Sequence, residues 1–508
     1  MNNINNIQNG DAMSGNEPTG ARRRRKTKAT VWLGVAGVCA TSASLVPLGG
    51  GHTQAAFAGE SEGMVCTNGT IDSEGTRVFD LSAADGYTSE PDGNAIYDWG
   101  FGVGNSNAFQ LPGPVLCANQ GDVITVRLSN FLPVATSIQF PGQTGVTTDG
   151  VTQVGPTVNV DGLASLVPEA AANGGTASYT FTASQAGTYL YESGSDPQLQ
   201  VQMGLFGALV IYPDVVTIDA GQIAAIPNDK GAVSAPTQAV VDRAKCAYAT
   251  PDTNTCDPLA IYDGTRENIL MLSEVDPGVH TFMEQNLATP ASLNWNAYPH
   301  AYEAHYFMIN GRSMPDTVAP NNAPWLPTQP YGALAHVQPW DSVDNPLDAL
   351  LRYVAVGTAG YDFHPHSNHE RVIAEDGALM RGSNFDHNNT EEKFNILVNP
   401  GSTVDATFRW TNEVGYHDEN SQRVPVAWPQ GLNLQEGDFW SGSPYLGEEG
   451  LLNPGILTKT QCGEYYHVAH NHDLTQVTNY GITFGGMLTL IKVEPPQAVQ
   501  DALNMDCG

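Results

Sequence analysis

Between Asn119-Gln120-Gly121 and Pro133 lies a segment, Asp122 to Asn130, in which Ile124, Val126 and Leu128 alternate with Thr125 and Arg127. A period of two places the apolar residues on one face of an extended strand, and the glycine and proline at the flanks end it. Short apolar runs between turn residues recur along a chain that contains 53 glycines and 33 prolines. An all-β fold with many turns is the expectation.

The organisation follows from the same punctuation. The first 58 residues read as an export signal: a basic run from Arg22 to Lys28, an apolar stretch from Ala29 to about Leu48, and Ala56-Phe57-Ala58 as a small-x-small cleavage site. The basic run is compatible with twin-arginine and with Sec export, and either predicts a periplasmic or extracellular protein. A membrane anchor fits less well, because Gly, Ser and Thr interrupt the apolar stretch, and no later segment has the length and apolarity of a span. Since one core rarely grows past about 250–300 residues, the rest of the chain suggests two or three domains. A first β-rich domain is expected over 59–213, closing on Gly204-Leu205-Phe206-Gly207-Ala208-Leu209-Val210-Ile211-Tyr212-Pro213. Residues 214–266 read as a linker with a short helix around Ala239 to Lys245. A second domain is expected over 267–495, from Asn268-Ile269-Leu270-Met271-Leu272 to a strand Met487 to Val493. A polar, Gly- and Pro-rich excursion near 414–460 interrupts it, and 496–508 form a tail.

The leader holds six of the 21 Lys and Arg and two of the 53 Asp and Glu, so the remainder carries 15 against 51, a net charge of −36. Such a surface repels nucleic acid and anionic lipid and favours cations or neutral substrates. Solubility in a saline exterior also accounts for it. Six cysteines follow the leader: Cys66, Cys117, Cys246, Cys256, Cys462 and Cys507. An even number in an exported chain points to disulfides, with Cys246 and Cys256 the easiest pair to close, at roughly 2–3 kcal/mol.

After His52 no histidine occurs until His280, and twelve lie between there and His472. Four of them form two H-x-H triplets, His364-Pro365-His366 and His470-Asn471-His472. Residues two apart on a strand share a face, so each triplet can aim two imidazoles at one point, which is the geometry of a metal site. A phosphate-binding glycine loop, a G-x-S-x-G elbow and a C-x-x-C pair are all absent from the sequence.

The order of several segments resembles the two-domain multicopper oxidases, whose cupredoxin domains also occur in copper nitrite reductases. The likeness rests on Gly121-Asp122-Val123-Ile124-Thr125-Val126-Arg127 leading to Thr136-Ser137-Ile138-Gln139-Phe140-Pro141-Gly142, and on Gly187-Thr188-Tyr189-Leu190-Tyr191-Glu192-Ser193-Gly194. It continues through Tyr306-Phe307-Met308-Ile309-Asn310-Gly311-Arg312, both H-x-H triplets, Pro400-Gly401-Ser402-Thr403-Val404-Asp405 and Gly485-Gly486-Met487. The resemblance implies two cupredoxin-like Greek-key β-sandwiches. It also implies eight imidazoles around a trinuclear copper cluster, but Gln139-Phe140-Pro141 and Glu192-Ser193-Gly194 stand where two of the four triplets belong. Asn471 stands where the type 1 copper cysteine belongs, Tyr361 where a second ligand of that copper belongs, and Met487 reads as a core residue.

The expected site is therefore reduced: His364, His366, His470 and His472 converging on one cavity that takes one or two copper ions, with zinc or manganese as alternatives. A relic pocket of neutral, hydrogen-bonded histidines is the competing expectation. His369 and His467 are candidates for further ligands or proton carriers, or are ordinary satisfied histidines, whereas His300 and His305 reach the cavity only if their loop folds back. Glu192 is a candidate oxygen ligand or general base. The resemblance implies a copper-dependent oxidoreductase fed by a small-molecule or metal-ion reductant, and a homotrimer. The alternative is a non-catalytic cupredoxin scaffold that stores metal or serves in the envelope.

Overall fold

The computed structural model describes residues 63–494, except for short internal segments and most of 411–464. The expected leader, Cys462, Cys507 and the tail lie outside the described residues, as does the expected excursion apart from 438–439 and 450–451, which pair as two short strands.

The first half is built from strands β1 (Arg77–Ser89), β2 (Ala95–Val103), β3 (Leu116–Asn119), β4 (Val123–Asn130), β5 (Gly175–Thr182), β6 (Gly187–Glu192) and β7 (Phe206–Tyr212). In one sheet β1 runs antiparallel to β2 and parallel to β4, which pairs antiparallel with β5. In the other, β7 pairs antiparallel with β6 and parallel with β3. Ile124, Val126 and Leu128 face inward as their alternation requires, and they share a core with Phe79, Trp99, Tyr191, Leu209 and Ile211. In β7 the alternate residues Phe206, Ala208 and Val210 are buried as well, against Ile269, Met271 and Val354 of the second half. A strand covered on both faces reads as an unbroken apolar run, and that is the sequence of β7.

Between the halves, helix α1 (Gln238–Arg243) stands where a short helix is expected. It stops two residues earlier because Ala244–Cys246 pairs with Ile261–Asp263. Disulfides join Cys246 to Cys256, the pair singled out by spacing, and Cys66 to Cys117.

The second half contains β8 (Ile261–Val275), α2 (Pro277–Gln285), β9 (Tyr306–Ile309), β10 (Ala335–Val337), β11 (Asp348–Ala355), β12 (Tyr361–Pro365), β13 (Glu370–Glu375), β14 (Ile396–Val398), β15 (Thr403–Phe408), β16 (Tyr465–Asn471) and β17 (Leu488–Val493). One sheet is centred on β8, β11, β15 and β13, and the other runs β10-β17-β16-β12-β14. Leu351, Tyr353, Phe363, Val404, Trp410, Ala469 and Ile491 fill the space between them. The described residues thus form a predominantly β structure of two sandwiches, each with two main sheets. Helix α2, capped by Asp276 on the Gly278 amide, sends Val279 and Met283 into the core of the first sandwich. Its His280 is buried there between Asp98, 3.0 Å away, and the Tyr97 carbonyl at 2.7 Å.

Candidate metal centre

The two triplets meet because β12 and β16 are antiparallel neighbours with His364 directly opposite His470. Residues opposite each other in an antiparallel pair project to the same face, and the period of two adds His366 and His472 to it. Beyond the ends of the strands the pairing continues, with the His366 amide donating to the Val468 carbonyl at 2.9 Å and the His472 amide to Asp362 at 2.6 Å. Ring centroids lie 4.6 Å apart for His364 and His366, 4.9 Å for His364 and His472, 5.1 Å for His366 and His470, and 5.6 Å for His470 and His472. His364 and His470 are buried, His366 is half-buried and His472 is exposed, so the cluster opens to solvent on the His472 side.

The hydrogen bonds fix the ring tautomers. His364 Nδ1 faces the Phe394 carbonyl, and His470 Nδ1 lies 2.6 Å from the carbonyl of Asn471. A carbonyl oxygen only accepts, so both nitrogens carry hydrogen and both Nε2 atoms keep a lone pair. His366 Nε2 lies 3.1 Å from His470 Nε2 and therefore donates to it, which leaves His366 Nδ1 buried without a partner among the described residues. Burial lowers the basicity of His364 and of His470, and the two carbonyl bonds only partly offset it. His366 is pushed down to about 4 by burial and then by its three imidazole neighbours. Neutral imidazoles are the ligand form of histidine. Two nitrogens bound to one tetrahedral metal at about 2.0–2.1 Å lie about 3.3 Å apart, close to the His366–His470 separation. Among the described residues, however, no group of three or more His, Cys, Asp or Glu side chains is already arranged to hold a metal ion. Strand register has set the rings side by side.

The other candidates are dispersed. His369 packs edge-on to the Phe394 ring at 6.0 Å. His467 lies on the opposite face of β16 from His470, near Trp410, with neither ring nitrogen hydrogen-bonded among the described residues; burial and then His366 push it down to about 3. His300 meets Tyr298, and His305 stacks on Tyr480 at 4.4 Å, both apart from the four rings. Glu192 sits at the end of β6 in the first sandwich, where it accepts from Gln139 Nε2 at 2.8 Å. Burial raises its carboxyl, and the Gln139 bond offsets part of the rise. The Phe394 carbonyl was not legible in the sequence, since a backbone oxygen 30 residues from His364 leaves no side-chain signal.

The positions where the family resemblance places a type 1 copper are tied up in other bonds. Tyr361 donates its hydroxyl to Glu274 and to the Val356 carbonyl at 2.7 Å. Asn471 donates Nδ2 to Gln476 Oε1 at 2.6 Å and to Met487 Sδ at 3.4 Å. Met487 is fully buried, as expected of a core residue.

Residues 106–215 match the multicopper oxidase family profile, whereas the segments that carry the resemblance run on to Met487. Copper resistance protein A of Pseudomonas syringae pv. tomato is 38% identical over 101 residues, which is 20% of this chain and 14% of that protein. L-ascorbate oxidase of Cucumis sativus is 34% identical over 104 residues, 20% of this chain and 16% of that protein. The chain thus matches about a seventh of the length of these relatives. Among solved structures, a blue copper oxidase from Nitrosomonas europaea aligns over 83% of this chain and 86% of its own with 16% identity and a TM-score of 0.44. The profile match lies mainly in the first sandwich, and in that segment the chain is similar to multicopper oxidases.

Proposed function

We propose that this is an exported protein, periplasmic or extracellular, that holds copper with His364, His366, His470 and His472 and acts as a copper-dependent oxidoreductase with a reduced ligand set. The reading is supported above all by four imidazoles from two paired strands packed ring against ring. The donor set suits the metal: His364 and His470 are locked with Nε2 unprotonated, and His366 needs only to lose or move one proton. Copper bound there would supply one-electron redox chemistry. The protein's part is to keep the imidazoles neutral, to orient them through the Phe394 and Asn471 carbonyls, and to leave the exposed His472 side open to a small-molecule or metal-ion reductant. With Tyr361 and Asn471 bonded elsewhere, a separate type 1 copper has no ligand set here. The domains proposed are 59–213 and 267–495, with a homotrimer as the assembly.

One observation favours a second reading, a non-catalytic scaffold: as they stand, the rings do not converge on a metal position. Elemental analysis and electron paramagnetic resonance separate the two, applied to wild type and His470→Ala after purification from the native export route. One or two copper ions per chain, without a blue-copper signal and lost in the variant, is the result expected. Zinc or manganese in stoichiometric amount would redirect the assignment, and no stoichiometric metal would leave the scaffold.

A further inference from the structure

We infer that Asn471 is a positioning residue whose side-chain amide, locked to Gln476 and Met487, sets the ring pose and tautomer of the flanking His470. This rests on the four-histidine reading above and deepens it. Asn471 is completely buried, and every polar atom it has is engaged. Nδ2 donates to Gln476 Oε1 and Met487 Sδ, while Oδ1 accepts from the Asp473 amide at 2.8 Å. Its own amide donates to the Met487 carbonyl at 3.1 Å. Gln476 and Met487 are themselves joined, the Met487 amide donating to the Gln476 carbonyl at 2.9 Å. The end of β16, the turn after it and the entry to β17 thus close into one hydrogen-bonded ring around a single carboxamide.

That closure reaches the imidazoles through the backbone. The Asn471 carbonyl can accept from His470 Nδ1 at 2.6 Å only while its peptide plane is held in place, and the side-chain bonds on one side and the Asp473 amide on the other hold it. With Nδ1 engaged as donor, Nε2 of His470 is turned toward His366. A residue that merely filled the core would need bulk and no polar atoms, and apolar side chains are the usual occupants of such a place. A carboxamide with both amide hydrogens and its oxygen used is the residue to expect where an orientation must be fixed.

The test uses the full chain with 15N-labelled histidine, as wild type, Asn471→Asp, which keeps the shape and loses the N–H donors, and Asn471→Leu, which keeps the bulk alone. In metal-free wild type the 15N spectrum should show His470 protonated at Nδ1. An Nε2-protonated ring would overturn the inference whatever the variants do. In both variants, below their melting temperatures, His470 should become a mixture of tautomers. Cu(II) affinity, measured by chelator competition, should fall about 10- to 100-fold with altered hyperfine coupling. Variants that fold and keep the wild-type tautomer, affinity and spectrum would reduce Asn471 to a packing role. Wild type that takes up no copper would overturn the metal reading, and any metal role of Asn471 with it. The metal-free spectra would still judge the tautomer claim by themselves.

Discussion

At the scale of single residues, the buried titratable groups divide into those that have been paired and those that are held neutral. Glu370 is fully buried at the start of β13, where Tyr353 donates to its two oxygens at 2.8 and 3.0 Å. Burial raises its carboxyl to about 8, and the Tyr353 bond offsets only part of the rise. Below its ordinary value near 4.5 the group is protonated in both folded and unfolded chains. As pH climbs from there toward 8 the unfolded chain gives up the proton and the folded one keeps it, so stability declines with rising pH. Glu370→Gln removes that term while keeping an oxygen for Tyr353. The variant should melt with wild type near pH 4.5 and above it by at least about 2–4 °C at pH 8, as followed by circular dichroism. Equal melting temperatures at both pH values would show that the carboxyl is already ionised in the fold. The H-x-H triplets were legible at this scale because alternation depends on sequence alone. Their tautomers were not, since these hang on carbonyls that only folding brings near.

At the scale of elements, a strand that lies half in one core shows in its sequence which face is buried, and a strand covered on both faces shows only that it is buried. β4 shows its buried face as Ile124, Val126 and Leu128, while β7 gives no face because both sides are covered. The disulfides belong here too. Cys246 and Cys256 lie 10 residues apart and hold the edge formed by Ala244–Cys246, whereas Cys66 and Cys117 lie 51 apart. In the chain-entropy model removal of the longer loop costs about 4 kcal/mol and of the shorter about 3 kcal/mol. Denaturation of Cys117→Ser and Cys256→Ser should therefore show the larger loss in the former. The reverse order would mean that local strand pairing, and not loop closure, governs their contribution. Only the shorter pair was readable, because a long-range pairing is chosen by the fold that brings the two chains together.

At the scale of the whole molecule, the described residues join the two sandwiches through an apolar layer and a buried ionic knot. Arg352 on β11 binds Glu267 at 2.6 Å and Asp405 at 3.1 Å, and donates to Thr188 Oγ1 of the first sandwich at 2.9 Å. Thr188 in turn donates to Asp405 Oδ1 at 2.6 Å and accepts, through its carbonyl, from Thr403 at 2.7 Å. Removing the arginine strands two carboxylates in the interface, so Arg352→Met should lose about 3–5 kcal/mol in urea denaturation. Because the lost charge sits at the junction, fluorescence probes in the two sandwiches should unfold at separate midpoints in the variant and together in the wild type. A loss under 1 kcal/mol would show that water reaches the knot and screens it.

What the sequence determined by itself was the kind of surface each segment presents. Strand periodicity, turn residues and the two triplets are local, and they specified an all-β chain with four histidines able to share a face, while the count of two sandwiches came from the family resemblance. What only the tertiary structure decided was who stands opposite whom. The register that sets His364 against His470, the carbonyls that protonate one ring nitrogen and free the other, and the carboxamide of Asn471 tied to Gln476 and Met487 all arise between strands. Pairing across a sheet is settled by the packing of the whole core, and a one-residue slip would turn every imidazole to the other face.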